Sequence, residues 1–295
     1  MVSRRNRWKF GLKLRRKVVV TGSLAMASRH AHWEVCGERE VCEAGNGRGR
    51  GRRPRVRVDE LRMNFYKDSC PKAEDIVKKI TWSRIANNPG LSAKLLRMHY
   101  HDCFVTSKKP KWEVRTGRKD GRVSLASQVS GNLPSPFANF SGLMQVFTNK
   151  GLDKHDLVTL SAAHTVGVAH CGIFSRRLYN FTGNGDADPS LDATYADFLR
   201  SKCPNPADPS ITVEMDPQSS LSFDKSYFTI VLQNKGLFIS DAALLTDPIA
   251  LNTLKRFQET NAFFSEFSDV MMRMGAMEVL TGNEGEIRKK CSIVN

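Results

Sequence analysis

The stretch Leu95–Val105 holds two side chains whose types and spacing suit chemistry on a small oxidant. Arg97 and His101 are four residues apart, so a helix places them on one face, one turn from each other. A guanidinium and a neutral imidazole that converge in this way suit chemistry on a peroxide. His99 lies about 200° round the helix from His101, so these two histidines share a metal only if the segment is a strand.

A simpler interpretation of this stretch is a buried amphipathic helix whose histidines have ordinary partners, since His/Arg pairs on helices are common. The same choice applies to His164, which ends an apolar helix at Leu157–Ala163 and is by itself more typical of a core residue than of a ligand.

A third signal is a loop rich in oxygen donors, able to bind a hard cation such as Ca²⁺. Its donors are Asp216, Ser219, Ser222 and Asp224.

The elements that would position these residues are mostly helical. Glu74–Ala86 has apolar residues at helical spacing, two acidic residues in its first turn, and Asn-Asn-Pro-Gly after it. A rigid Leu133–Pro136 segment leads into a helix that ends near Lys150, and Asp153 caps the next one. Trp112–Gly121 is predicted to be extended. Further helices are predicted near Leu191–Arg200, Asp224–Asn234, Asp247–Glu259 and Phe263–Met274.

The N-terminal 60 residues differ from the rest in composition. They carry sixteen Lys/Arg and six Asp/Glu, most of the net charge of +15, and include the Gly/Arg-rich run Gly47–Arg55. We expect a disordered basic arm over 1–61, either a solvated tail or an unspecific phosphate-binding segment. No specific nucleic-acid partner is expected. Val18–Ala27 faintly resembles a signal peptide, but its polar break at Thr21–Ser23 leaves it unconvincing.

Cysteines and glycosylation signals point to export. The seven cysteines are widely spread and form no C-x-x-C pair, which favours disulfides over zinc. Asn139-Phe140-Ser141 and Asn180-Phe181-Thr182 are N-glycosylation acceptors, a weak further sign. The chain has no apolar run of about 18 residues, so no membrane span is expected.

The ordered motifs of residues 62–295 together resemble the class III secretory plant haem peroxidases. The matching stretches are Phe65-Tyr66-x-x-Ser69-Cys70-Pro71, Leu96-Arg97-x-His99-x-His101-Asp102-Cys103-Phe104-Val105, Trp112–Gly121, Asn132-Leu133-Pro134-x-Pro136, Leu160-Ser161-x-x-His164-Thr165-x-Gly167, Asp216, Phe223-Asp224, Tyr227-Phe228, Lys235-Gly236-Leu237, Ser240-Asp241, Met274-Gly275 and Cys291. The resemblance implies a mainly α haem peroxidase fold that fills one domain over 62–295.

The resemblance also implies the chemical roles. His164 is expected to be the axial ligand of haem b iron, with Asp241 accepting its other ring proton. His101 is expected to take a proton from H₂O₂ and return it to the leaving oxygen, while Arg97 stabilises the developing negative charge. The family places the substrate edge at the carbonyl of Pro134.

The resemblance further implies two calcium sites and a disulfide. The proximal calcium site has all its ligands, expected to be Thr165, Asp216, Ser219, Ser222 and Asp224. The distal one is reduced to Asp102 and the Val105 carbonyl, and is expected to be broken. Cys171 and Cys203 match a family disulfide that closes a 33-residue loop, worth about 3 kcal/mol.

The departure from the family lies between Val105 and Trp112, where only Thr106–Lys111 remain. The family has two helices there, with an Asn that orients the distal histidine and three cysteines. We therefore expect a fold truncated by loss of two distal-side helices, a marginal stability and a poorer base at His101. Cysteines expected to lack their family partners are Cys70, Cys103 and Cys291, and Cys36 and Cys42 are poor substitutes.

Two functions remain open at this point. The first is a monomeric, extracellular haem peroxidase that reduces H₂O₂, oxidises small phenolic donors in one-electron steps, and serves hydrogen peroxide catabolism and the response to oxidative stress. The second is a non-catalytic or unstable product of a peroxidase gene, from exon loss or a faulty gene model, suggested by the abrupt junction after Val105.

Overall fold

The computed structural model describes residues 61–102, 115–123, 125, 127, 131–290 and 293–295, and gives the backbone alone for residues 98–102. Several expectations fall outside the described residues. These are the basic arm and its signal-like stretch, Val105 and the junction segment Thr106–Lys111, and the cysteines at 36, 42, 103 and 291.

The described part of the chain is mainly helical, as predicted. Ten α-helices, two 3₁₀ turns and a two-stranded antiparallel ribbon make up its regular structure. The helices are α1 (Ala73–Asn87), α2 (Leu91–Asp102), α3 (Phe140–Asn149), α4 (Lys154–Ser161), α5 (Cys171–Tyr179), α6 (Ala193–Lys202), α7 (Ser226–Leu232), α8 (Ile239–Ala243), α9 (Pro248–Glu259) and α10 (Ala262–Met274). The strands are β1 (Val168–His170) and β2 (Thr212–Glu214), and the 3₁₀ turns are Ala162–Thr165 and Leu244–Thr246.

Side-chain caps fix where several helices begin. Asn139 accepts the Gly142 amide at the start of α3. Asp153 forms a capping box with Asp156 at the start of α4, so each carboxylate satisfies an amide that the helix leaves unpaired. Asp247 caps α9, which has Pro248 as its first residue. These caps fix where α3, α4 and α9 begin.

The main core is a cluster of buried apolar side chains that lies wholly within residues 143–274. It is built from α3, α4, α7, α9 and α10 and includes stacked and edge-on phenylalanines such as Phe228, Phe257 and Phe263. A second core holds α5 and α6 together around the Cys171–Cys203 disulfide, with Leu191 and Leu237. In α1 and α2 the buried cluster is small, Ile85 and Leu95 with their neighbours.

The β1–β2 ribbon joins two segments that are distant in sequence. Val168 pairs with Glu214 and His170 with Thr212. Just before β1, the Gly167 amide donates to the Ser220 carbonyl at 2.8 Å, and the Met215 amide donates back to the Gly167 carbonyl. The ribbon therefore places the residues that follow α4 against the loop that follows β2.

The predicted helices are confirmed within the described residues, with ends that differ by a few positions. Of the segment predicted to be extended, residues 115–121 are described. Thr116 and Asp120 each form an isolated β-bridge, with Arg62 and Glu286, and Gly117 between them has a positive φ of 111°. The sequence patterns missed α5, α8 and the ribbon. These elements are short, and α8, at five residues, shows no complete helical period.

The structure forms the Cys171–Cys203 disulfide, with the two Cα atoms 5.5 Å apart. Cys70 is also disulfide-bonded. The expectation that it lacks its family partner stays a prediction. Among the described helices, none has both the length and the apolar character that a membrane crossing requires.

Candidate active site

His164 lies in the 3₁₀ turn that continues α4, at the point where the chain leaves the main core. Its ring Nδ1 is 2.8 Å from Oδ1 of Asp241, and about a third of the side chain is exposed. In the neutral imidazole, a carboxylate at Nδ1 favours the tautomer with the proton on Nδ1, and that tautomer leaves a lone pair on Nε2. The turn thus presents a partly open imidazole nitrogen able to bind a metal.

Asp241 lies in the first turn of α8 and is fully enclosed. Its Oδ1 accepts from His164 and from the Tyr227 hydroxyl at 2.9 Å, and its Oδ2 accepts the Phe238 amide at 2.9 Å. Burial raises the pKa of this carboxyl, but the His164 imidazole, the Phe238 amide and the Tyr227 hydroxyl outweigh that effect. The pKa of Asp241 therefore lies below its ordinary value, and the group is a carboxylate at neutral pH.

Two aromatic rings enclose the His164 imidazole edge-on. The Phe238 ring centroid is 5.2 Å from that of His164, and the Tyr227 centroid is 6.0 Å away. Tyr227 belongs to α7 and is buried, and its burial beside Asp241 holds the pKa of its hydroxyl well above the ordinary value. The imidazole is therefore oriented by one carboxylate and two rings.

Arg177 holds the segment that leads into Asp241. This α5 side chain is 2% exposed, and its Nη1 donates to three successive carbonyls, of Gly236, Leu237 and Phe238, at 2.7, 2.9 and 3.1 Å. Its Nε donates to Asp188 at 2.6 Å, so the buried guanidinium is paired with a buried carboxylate. Phe238 donates its amide to Asp241 and packs its ring against His164. Because Arg177 binds the Phe238 carbonyl, it helps to hold Phe238 against both residues.

Thr165, the residue after His164, connects the turn to the oxygen-rich loop. Its hydroxyl is 2.9 Å from Oδ2 of Asp216 and 3.1 Å from Oδ1 of Asp224. Glu214 lies at the end of β2 just before this loop and accepts the Ser220 hydroxyl. The ribbon register described above brings these groups together.

Two oxygen atoms in this loop are buried without a hydrogen-bond partner, Oδ1 of Asp216 and Oγ of Ser219. Burial raises the pKa of the Asp216 carboxyl, the nearby hydroxyls of Thr165 and Ser219 work against this, and the charges of Asp224 and Glu214 raise it further. Orphaned oxygens beside two carboxylates are the donor set that a hard cation uses. The chemistry of this loop fits Ca²⁺. The described residues contain no cluster of three or more His, Cys, Asp or Glu side chains placed to hold a metal.

Ser222, the remaining predicted calcium ligand of this loop, takes part through its backbone. Its amide donates to the Ser219 carbonyl at 2.7 Å, and its side chain is exposed. The backbone turn that this bond closes keeps Ser219, Ser222 and Asp224 on one short loop.

The residues expected on the opposite side of the haem lie on and near α2. Arg97 is on this helix with an exposed side chain, and His101 and Asp102 occupy its last turn. The side chains of His101 and Asp102, and the whole of Val105, lie outside what the structure describes. Pro134 is half-buried in the turn before α3, and the next proline, Pro136, accepts the Ser240 amide at 3.1 Å, next to Asp241.

Sequence reasoning assigned no role to Tyr227, Phe238 or Arg177. The apolar face of α7 was visible in its pattern, but nothing in a pattern shows that the Tyr227 hydroxyl meets a carboxylate fourteen residues later. Arg177 is in a helix that was not predicted. A buried arginine carries no sequence signal, since arginine is mostly exposed.

Comparisons with known proteins identify relatives of one family. A model of the peroxidase family matches residues 106–260. Peroxidase 24 of Arabidopsis thaliana is 42% identical, over 80% of this chain and 87% of the relative. Peroxidase 39 and Peroxidase 3 of the same plant are 42% and 40% identical, over 80% of this chain and 93% and 92% of their own lengths.

The chain belongs to the peroxidase family, in the class of the plant secretory peroxidases. It is an oxidoreductase that reduces H₂O₂ at the expense of donor substrates, and its family implies haem. These matches favour the enzyme over the non-catalytic alternative.

Proposed function

We propose that this chain binds haem b through Nε2 of His164 and uses H₂O₂ to oxidise small phenolic donors. The single observation that carries this proposal is the bond of 2.8 Å between Nδ1 of His164 and the buried Asp241. It fixes the tautomer that a metal needs, and it makes the imidazole a stronger donor because the carboxylate attracts the Nδ1 proton. Bound here, haem supplies the redox centre that accepts oxidising equivalents from H₂O₂.

The proposed proton chemistry belongs to α2. His101 would take a proton from one oxygen of H₂O₂ and return it to the other, which would leave as water as the O–O bond breaks, with the two oxidising equivalents taken up by bound haem. Arg97 stabilises the negative charge that develops on the leaving oxygen. The helical spacing of these two residues places them one turn apart, which supports a joint action on one peroxide.

The donor is proposed to approach at the turn that contains Pro134. This turn is attached to the site through the bond from the Ser240 amide to the Pro136 carbonyl. Phe137 in the same turn is 55% exposed and offers an aromatic surface. An exposed ring beside proline carbonyls suits a phenol, which stacks through its ring and donates through its hydroxyl.

A calcium ion is proposed to bind in the oxygen-rich loop. The Thr165 hydroxyl already contacts both Asp216 and Asp224, and Oγ of Ser219 is buried without a hydrogen-bond partner. Ser222 completes the proposed set. Because Thr165 follows the iron ligand directly, the ion would also restrain His164. Asp102 and Val105 are proposed to be a remnant of a second, incomplete calcium site.

We keep the proposal that the peroxidase domain spans 62–295 and lacks two distal-side helices after Val105. One observation supports the missing segment. The alignment with Peroxidase 24 runs over 306 positions but covers 80% of 295 residues, about 236, so about 70 positions have no counterpart here.

An extracellular, monomeric protein is proposed. Both asparagines of the glycosylation signals, Asn139 and Asn180, are exposed and so accessible to modification. The Cys171–Cys203 disulfide suits an oxidising compartment.

The test is a hemin titration of the refolded chain in calcium, read by absorption, followed by H₂O₂-dependent oxidation of a simple phenol. We expect a histidine-ligated ferric spectrum in the wild type and its loss in His164→Ala. His170→Ala is the matched control, because this histidine is exposed on β1 six residues later. An unchanged spectrum in His164→Ala would contradict the proposed ligand.

A further inference from the structure

Oδ1 of Asp241 accepts two hydrogen bonds. One comes from Nδ1 of His164 at 2.8 Å, and the other comes from the Tyr227 hydroxyl at 2.9 Å. The two donors therefore compete for the electron density of a single carboxylate oxygen. The other oxygen, Oδ2, is occupied by the Phe238 amide.

This competition takes place away from water. Asp241 and Tyr227 are each 2% exposed, so the shared acceptor and the tyrosine donor are shielded from solvent. Inside a protein, a hydrogen bond to a charged acceptor is stronger than its counterpart in water, and one bond to an acceptor alters its neighbours. The Tyr227 hydroxyl thus withdraws charge from the oxygen that faces His164.

We propose that Tyr227 is a positioning residue that limits how strongly Asp241 draws on the Nδ1 proton of His164, and thereby sets the electron-donating strength of the imidazole. The inference rests on the proposed function, because it concerns His164 as an iron ligand. It assigns to this tyrosine a chemical role that its ring alone does not have.

The ring and the hydroxyl of Tyr227 act separately. The ring packs edge-on against His164 and Phe228, at 6.0 and 5.8 Å between centroids, and a phenylalanine would keep both contacts. The hydroxyl contributes the bond to Asp241. Tyr227→Phe therefore removes the bond and leaves the packing.

The measurement is made on the haem-loaded protein by redox titration of the Fe(III)/Fe(II) couple and by resonance Raman of the ferrous iron–histidine stretch. Without the hydroxyl, Asp241 should draw harder on the Nδ1 proton, and a more anionic imidazole favours Fe(III). We expect Tyr227→Phe to lower the midpoint potential and raise the stretching frequency. A tenfold gain in preference for Fe(III) would be a shift of about 59 mV.

Tyr179→Phe is the matched control. Its hydroxyl donates to the Cys203 carbonyl at 2.5 Å, in the second core, and touches neither Asp241 nor His164. The control loses a tyrosine hydroxyl bond of the same kind, so any general effect of that loss would appear in it. We expect its midpoint potential and stretching frequency to equal those of the wild type.

A double-mutant cycle tests whether Tyr227 acts through the carboxylate. In an Asp241→Asn background the acceptor charge is absent, so adding Tyr227→Phe should produce no further shift in potential. An equal shift in both backgrounds would overturn the proposal, as would a Tyr227→Phe protein that matches the wild type or takes up no haem. A wild type without a histidine-ligated spectrum would instead remove the proposed function itself.

Discussion

A Cβ atom on Gly236 would stand 2.6 Å from the Cβ atom of Asp241. The chain can pass this close to the carboxylate only because residue 236 has no side chain. Arg177 binds the same stretch from the other side. If the backbone moved away, the bonds from Arg177 to three carbonyls would be lost. Gly236 is therefore required by space, between a fixed backbone and a fixed carboxylate.

Gly236→Ala should displace Asp241 and lower the free energy of unfolding by about 1–3 kcal/mol, the usual cost of overpacking a rigid site. Urea denaturation measures the loss, and hemin titration should show weaker uptake. Gly172→Ala is the control, because its Cβ would meet nothing nearer than 4.0 Å within α5. In a helix that change is expected to be neutral or stabilising. Equal stability of both variants would refute the steric account.

Asp188→Asn should lower the free energy of unfolding by about 3–5 kcal/mol at pH 7, because it leaves the buried Arg177 without its counter-charge. Burial raises the pKa of Asp188, but bonds from Ser190 and Arg177 outweigh it and hold the pKa below its ordinary value. A carboxyl of lowered pKa stabilises the fold above its unfolded pKa of about 3.9, and that stabilisation is lost as pH falls through the folded pKa.

The difference between wild type and Asp188→Asn should therefore be full at pH 5 to 7 and shrink below about pH 4. Urea denaturation at a series of pH values measures it. The control is Asp197→Asn, which breaks an exposed pair with Arg200 and should change stability by no more than about 1 kcal/mol at any pH. If the difference in unfolding free energy between wild type and Asp188→Asn grew as the pH fell, the proposed role of the Asp188 carboxylate would be wrong.

Calcium should stabilise the chain through the oxygen-rich loop. At a concentration 100-fold above the dissociation constant, binding adds about 2.7 kcal/mol, or about 5–10 °C in melting temperature for a domain of this size. Asp216→Asn should abolish the response to added Ca²⁺ and to chelator. Asp208→Asn, in an exposed loop, should keep it. A calcium response that survives Asp216→Asn would place the ion elsewhere.

The Cys171→Ala/Cys203→Ala double variant should lose about 3 kcal/mol of unfolding free energy, because the unfolded chain regains the freedom of a 33-residue loop. Its hemin spectrum should remain that of the wild type, since these cysteines belong to the second core and not to the His164 pair. Denaturation and absorption on the same preparation check both points. If the variant lost the hemin spectrum but kept the unfolding free energy of the wild type, the prediction would be wrong.

The sequence predicted those parts of the fold that depend on local rules. Asp153 caps α4 as predicted, α3 ends near Lys150 as predicted, and the helix predicted from Asp247 begins there. Such features depend on neighbours along the chain, so their pattern can be recognised without the tertiary structure.

What the sequence did not predict depends on contacts between distant segments. The β1–β2 ribbon brings Thr165 to Asp216, and its three-residue strands carry no period of their own. Arg177 is an arginine in an interior place, where composition rules expect an apolar residue. His164 and Asp241 were paired only through the family resemblance, since no local pattern connects residues 77 positions apart.

Among the described residues, the buried side chains of the main core lie between 143 and 274. α1 and α2 share a small cluster, and α2 contacts the main core through the partly buried Leu96. Amides of α4, α7, α9 and α10 should therefore exchange with solvent only on global unfolding, and those of α1 and α2 through cheaper partial openings. His164 follows α4, which belongs to the more stable part, whereas Arg97 lies on α2 in the less stable part. Under mild denaturation we therefore expect the proposed peroxide-cleaving residues of α2 to be lost before the proposed iron ligand.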